Sequence, residues 1–213
     1  YLLPSVLYAF GNQDRVVIST NTINLQEQLM GKDIPTVGRV LGPAGSGLRA
    51  ATLKGRANYL CLRCWDAWRQ RLVLSREEVR FLVRTLAWLS QTQTGDRAEL
   101  HLVEKEPALW GQVSAEDGNC AREGCSYYEK GRCFLFQARR RAEGAHLVVT
   151  NHALLLSEVA SQARILPDFD HLIIDEAHHL EGEATEQLGF RLSQSQLLEH
   201  FRRAGIVLLA GAV

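Results

Sequence analysis

The chain has 213 residues, 46% of them hydrophobic, with 24 acidic and 24 basic side chains. That length and apolar share fit one domain carrying an insertion, or two small domains, and exclude a disordered chain. Zero net charge excludes a global field that draws in nucleic acid, and no apolar run is long enough to cross a bilayer. Charge is nonetheless segregated, which leaves room for local basic faces. Residues 54–71 hold five basic side chains and one acid, 122–141 hold six against two, and 99–117 hold five acids and one Lys. With no signal peptide visible, the expected setting is the cytoplasm.

In chain order, residues 1–10 read as an amphipathic helix entered partway along. The last residues, 206–213, stop as abruptly on an apolar run, so both ends are expected to be cuts through a longer protein. Val16, Val17 and Ile18 then form a β-branched, buried-strand pattern that ends on the hydroxyls of Ser19 and Thr20. Asn21 or Thr22 caps a helix predicted over 23–30. Residues 42–47 are glycine-rich, but no Lys or Ser/Thr follows at the offset of a phosphate-binding loop, and a mobile linker is expected there.

The next stretch reads as helical. Ser75, with Glu78 three residues on, is an N-cap signature for a helix to about Ser90, whose apolar side is expected to be Val79, Leu82, Val83, Leu86 and Leu89. Trp65, Trp68 and Trp88 are expected to pack this small lobe in preference to stacking on bases. Tyr127 and Tyr128, with Arg139, Arg140 and Arg141, mix aromatics and positive charge as single-strand binders do; a solvated basic face accounts for each Arg equally well.

All five cysteines, Cys61, Cys64, Cys120, Cys125 and Cys133, fall between the first strand and the second. Clustering in one reducing-compartment insertion favours metal ligation over disulfides. Four thiolates suit an iron–sulfur cluster or a structural zinc, and only Cys61 and Cys64 show the tight spacing common in zinc sites. Spacing leaves iron–sulfur, zinc and unliganded thiols all open.

Residues 146–151 repeat the strand design, Leu147 to Val149 being followed by Thr150 and Asn151 and then a helix through Leu156. Leu172, Ile173 and Ile174 form a third apolar run, expected to be buried on both faces, that stops on Asp175 and Glu176. Three strands ending in polar residues are the layout of a mononucleotide-binding α/β domain, whose ligands sit at the carboxyl edge of the sheet. An Asp there holds Mg²⁺ and a neighbouring Glu activates water, although an acidic helix cap explains the same two residues. An acidic helix start is expected at 179–184, and a further helix at 194–204.

Asp175-Glu176-Ala177-His178 resembles the Walker B box of the DEAH group of superfamily 2 helicases. Residues 17–29 resemble helicase motif Ia, which in that group grips single-stranded DNA; the resemblance makes Thr20, Asn21 and Thr22 candidate phosphate contacts. Lys54-Gly55-Arg56-Ala57-Asn58-Tyr59-Leu60-Cys61 resembles the start of the iron–sulfur domain of the DinG/XPD family of DNA helicases.

The family resemblance implies an α/β fold, a partial RecA-like parallel-sheet motor domain with an inserted, mainly helical iron–sulfur domain. Its segments would be 1–50 and 143–183 for the motor, 51–142 for the insertion and 184–213 for the start of a helical arch. It implies a 4Fe-4S cluster on Cys61, Cys120, Cys125 and Cys133, with Cys64 a spectator able to substitute for Cys61. It also implies ATP and Mg²⁺ at Asp175 and Glu176, with Glu176 activating water and His178 relaying nucleotide state. The implied protein is a monomeric, membrane-free, ATP-dependent helicase moving 5′ to 3′ on single strands and acting on forked or otherwise structured DNA. The competing expectations are a zinc-stabilised nucleic-acid-binding module and a non-catalytic scaffold.

Overall fold

A computed structural model describes residues 1–116, 120, 124–161 and 164–189. The helix expected at 194–204, the run 206–213 and most of the expected arch segment lie outside them. The chain opens with helix α1 (Leu2–Asn12), strand β1 (Val16–Thr20) and helix α2 (Ile23–Gln28). Thr22 caps α2, its hydroxyl accepting from the Leu25 amide at 3.3 Å. The helical path runs beyond 30, through a π-helical turn (Leu29–Asp33) into α3 (Ile34–Leu41).

Residues 42–45 form a 3₁₀ turn where a linker is expected. Gly45, at the end of this turn, packs so closely on α3 that an added Cβ would stand 2.6 Å from the Gly38 carbonyl oxygen. A short strand the sequence pattern does not mark, β2 (Ala50–Thr52), follows, crossing the boundary expected at 50/51.

The stretch between β2 and β3, which covers the expected insertion, holds α4 (Leu62–Arg69), α5 (Arg76–Leu89), α6 (Glu106–Val113), α7 (Ser126–Glu129) and α8 (Phe134–Glu143). The chain then returns through β3 (Leu147–Asn151), α9 (His152–Ser161), β4 (His171–Ile174) and α10 (Leu180–Leu188). The four strands form one parallel sheet in the order β2-β3-β1-β4. The protein is thus mixed α/β, as expected of a partial RecA-like domain.

Parallel pairing puts alternate residues of each strand on opposite faces. Val17 and Val148 point to one face and pack with Leu135, Ala138 and Ala142 of α8 and Leu154 and Leu155 of α9. Val16, Ile18, Leu147 and Val149 point to the other, against Val6 and Ala9 of α1 and Ile34 of α3. The central strands are buried throughout, but β4 is not: it has a single neighbour among the described residues, and Leu172 is 40% exposed. The expectation of a strand buried on both sides is corrected here, because an edge position covers it less than β1 or β3.

Within the expected insertion, Leu60, Trp65, Trp68, Phe81, Leu100, Trp110 and Val113 form a separate buried cluster. Trp65 and Trp68 stack at 5.7 Å, and Phe81 meets the Trp68 ring edge-on at 5.5 Å. The capping box is present: Ser75 Oγ accepts from the Glu78 amide, and the Glu78 carboxylate accepts from the Ser75 amide at 2.8 Å. The buried side of α5 differs from the expected one. Phe81 and Thr85 face inward, with Leu82 and Leu89 partly covered, while Val79, Val83 and Leu86 are exposed. Apolar residues occur all round this helix, so their spacing fixes the period but leaves the phase to the tryptophans it packs against.

Candidate functional site

The register places the polar strand ends side by side. Ser19 lies opposite Thr150 and Thr20 opposite Asn151, and β4 runs beside β1 as far as Ser19 and Ile174. One residue further, the Asp175 amide donates to the Ser19 carbonyl at 2.8 Å, so Asp175 is held as an extension of the ladder at the carboxyl edge of the sheet. Its carboxylate accepts from the Tyr1 hydroxyl at 2.8 Å. Burial, then this hydrogen bond to the carboxylate, raises the Tyr1 phenol above its ordinary pKa.

Glu176 takes a left-handed conformation, φ 54°, a backbone state that costs a non-glycine residue roughly 1–2 kcal/mol. It turns the chain into a 3₁₀ segment (Ala177–His179) and leaves Glu176, His178 and His179 exposed. One Glu176 oxygen stands 3.5 Å from His178 Nε2. One ligand atom from each of Glu176, His178 and His179 lies within 4.8 Å of the others.

Of the three residues matched to motif Ia, Thr20 is wholly buried, Asn21 half-buried and Thr22 exposed at the head of α2. Behind them lies a contact between distant residues that sequence reasoning missed. His152, the first residue of α9, is fully buried, with Nδ1 2.7 Å from Ser19 Oγ. Asn151 caps the same helix by accepting from the Leu154 amide at 3.0 Å. A histidine directly after an apolar strand was the available clue, but its partner is 133 residues away.

Residues 54–61 act as a clamp. The Lys54 ammonium is buried between Asp96 at 2.5 Å and Glu27 at 3.2 Å, so it links the insertion to α2. Tyr59 Oη accepts from the Lys54 amide at 3.0 Å, Asn58 Nδ2 donates to the Gly55 carbonyl, and Arg56 Nε donates to the Ala115 carbonyl. Antiparallel bridges from Tyr59 to Asp96 and from Leu60 to Ser114 follow, and the Cys61 amide donates to the Val113 carbonyl at 2.8 Å. The segment leading into the first cysteine is therefore fixed on both sides.

All five cysteines are unpaired by disulfides and line one cavity, together with Leu62, Ala115, Tyr127, Tyr128, Leu135 and Phe136. Cys61, Cys125 and Cys133 occupy the positions just before α4, α7 and α8, in extended backbone, and none uses its sulfur to cap its helix. The two longer helices, α4 and α8, thus aim the positive ends of their dipoles toward the cavity that the cysteines line. Burial pushes the Cys133 thiol up, and the neighbouring Cys120 and Cys61 push it further, a repulsion that a bound cation would reverse. Among the described residues, no three of the sulfurs come within 4.8 Å of one another. Thiols facing one cavity are a donor set that soft or borderline metal centres use.

Tyr128 and Phe136 also line a second cleft, of about 800 Å³, with Arg139, Arg140 and Arg164. Arg139 stacks over Phe136 at 5.4 Å, and Arg132 over Tyr127 at 5.8 Å. Arg15 and Asp168, which also line this cleft, precede β1 and β4. The cleft therefore opens toward the amino-terminal end of the sheet, away from Asp175.

Residues 119–197 match the DEAD_2 family model, a span that takes in Cys120, Cys125, Cys133, β3 and the Asp175–His178 box. The chain is 37% identical to the 3′-5′ exonuclease DinG of Bacillus subtilis, over 96% of this chain and 21% of that protein. It is 34% identical to the ATP-dependent DNA helicase YoaA of Escherichia coli, over 93% of this chain and 31% of that protein. A third relative, the ATP-dependent helicase DinG of Mycobacterium tuberculosis, is 33% identical over 92% of this chain and 32% of its own length. The chain thus spans between a fifth and a third of these relatives. By its motifs, by its parallel sheet and by these matches, the chain belongs to the DinG-like helicase family and corresponds to a segment of such a protein.

Proposed function

We propose that this chain is part of the first motor domain of an ATP-dependent DNA helicase that translocates 5′ to 3′ on single-stranded DNA and acts on forked or otherwise structured DNA. The observation that carries the reading is the parallel edge on which Asp175 and Glu176 end β4 beside the Thr20–Thr22 end of β1. On that edge a nucleotide's Mg²⁺ and a strand of DNA are handled by adjacent turns. Asp175 would hold Mg²⁺, which supplies charge neutralisation at the phosphates. Glu176, exposed on its left-handed turn, accepts a proton from the attacking water. His178, beside Glu176, senses its state. Asn21 and Thr22 offer a strand the exposed end of α2, where backbone amides favour phosphates.

Cys61, Cys120, Cys125 and Cys133 would hold a 4Fe-4S cluster, which supplies a rigid four-thiolate tie. Tetrahedral zinc, with Zn–S near 2.3 Å, would bring sulfurs to about 3.8 Å of one another. The four thiols line one cavity, which supports a shared centre; iron and sulfide content decides between a cluster and zinc. Cys120 is included in this assignment by its place in the family pattern, and it lines the same cavity as the other three.

The test is Mg²⁺-dependent ATP hydrolysis by the complete polypeptide, with and without single-stranded DNA, for the parent and for Glu176→Gln. Stimulated hydrolysis that falls by about 10²-fold or more in the variant is expected; an unaffected variant ends the motor reading. Iron and sulfide analysis after anaerobic purification tests the cluster. Cys125→Ser should lose iron and Cys64→Ser should keep it, and the opposite pattern overturns the ligand assignment.

A further inference from the structure

The turn after β4 carries more ligand chemistry than water activation needs. It places a carboxylate and two imidazoles on one exposed surface within three residues of sequence. The left-handed turn at Glu176 and the 3₁₀ segment after it bring Glu176 and His179 within ligand reach of each other. His178 lies between them in sequence, its Nε2 3.5 Å from Glu176 and its ring centroid 4.0 Å from that of His179. The backbone beneath is fixed at both ends: the Asp175 amide is bonded to Ser19, and the His179 amide donates to the Glu176 carbonyl at 3.0 Å.

We propose that Glu176, His178 and His179 form a second metal site, for a borderline transition-metal dication of the Zn²⁺ class, distinct from the hard Mg²⁺ of Asp175. Two imidazoles and one carboxylate are a donor set that such ions take and that Mg²⁺ does not. Ligand bonds of 2.0–2.1 Å require tetrahedral donor atoms about 3.3 Å apart. The three donors are already within 4.8 Å, and because all three side chains are exposed, rotation about their own bonds closes the remainder without backbone movement. The fourth position is left to water. A metal held there occupies the Glu176 lone pair that would accept a proton from the attacking water, so occupancy inhibits hydrolysis. This last consequence rests on the proposed function; the site itself does not.

Co²⁺ is the probe, because thiolate ligation gives intense sulfur charge-transfer absorption that nitrogen and oxygen ligation lacks, which separates this site from the cysteine cavity. The protein should bind one Co²⁺ without that absorption, displaceable by Zn²⁺, and His179→Asn should weaken it by at least about 10-fold with the thiolate-bound fraction unchanged. Equal binding in parent and variant, or absorption showing that every bound ion sits on sulfur, overturns the site. In the complete polypeptide, micromolar Zn²⁺ should suppress ATP hydrolysis reversibly on chelation, and His179→Asn should resist it. Hydrolysis unchanged by an occupied site refutes the inhibitory role. Should Glu176→Gln leave hydrolysis intact while the Co²⁺ result holds, the motor reading fails and the metal site stands.

Discussion

Replacing Gly95 by Ala should damage the cysteine cavity from a distance. Gly95 has φ +66°, and a Cβ built there would lie 2.2 Å from Phe134 Cγ, 2.4 Å from Cδ2 and 2.7 Å from Cβ. Phe134 is the first residue of α8, directly after Cys133, and the Gly95 carbonyl accepts from the Leu60 amide at 2.9 Å, directly before Cys61. The left-handed backbone costs an L-residue roughly 1–2 kcal/mol, and forcing a methyl into a packed ring costs roughly 1–3 kcal/mol more. The expected loss of about 2–5 kcal/mol is a large share of a stability typically near 5–15 kcal/mol. Because the strain falls on the neighbours of Cys61 and Cys133, thiol accessibility should change with it, and so should iron content where the proposed cluster is held. The assay is urea unfolding, with thiol titration and iron content in parallel. Gly111→Ala is the control: Gly111 lies within α6 with nothing inside 4 Å of an added Cβ, and a gain of about 0.5–1 kcal/mol is expected there. A Gly95 variant within about 0.5 kcal/mol of the parent, with unchanged thiols, refutes the reasoning.

Lys54→Met should cost about 3 kcal/mol, the usual consequence of leaving a partly buried carboxylate without its cation, here Asp96. Chemical denaturation measures the loss, and limited proteolysis should show the insertion loosening from α2; a variant as stable as the parent would show that the buried pair contributes nothing. A pH test follows from Glu99. Burial pushes its carboxyl up, but hydrogen bonds from Thr92, Thr94 and Trp88 outweigh that and hold it below the usual carboxylate value. A depressed folded-state value contributes stability that is present above the unfolded value and is lost as pH falls through the folded one. Stability should therefore decline less steeply between about pH 5 and pH 3 in Glu99→Gln than in the parent, and identical slopes would contradict the assignment.

Strand ends and caps were legible because they are local. The β-branched runs before Ser19, Thr150 and Asp175 each formed a strand, and Ser75 with Glu78 formed the box their spacing announced. The tryptophans packed as their size requires: Trp65 and Trp68 are buried, and Trp88 is packed partly against the same core. The place of Asp175 and Glu176 at the end of β4 was legible for the same reason, since an apolar run that stops on two carboxylates needs no distant partner to be read. Strand β2 was not legible. Three residues, Ala50 to Thr52, carry too little pattern to be assigned alone, and they are a strand because β3 offers a ladder.

What the sequence determined by itself was therefore the kind of element at each place and the chemical types gathered at its ends. The tertiary structure decided which of these meet. It set β4 at the edge of the described sheet, turned Phe81 and not Val79 toward the core, and buried the Lys54 charge between acids 27 residues before and 42 residues after it. It also joined Ser19 to His152 and brought Cys61 to the same cavity as Cys133. Periodicity along a chain encodes which side of an element is apolar. Which neighbour covers that side is settled by packing and hydrogen bonding between segments far apart in sequence, and no local pattern carries that information.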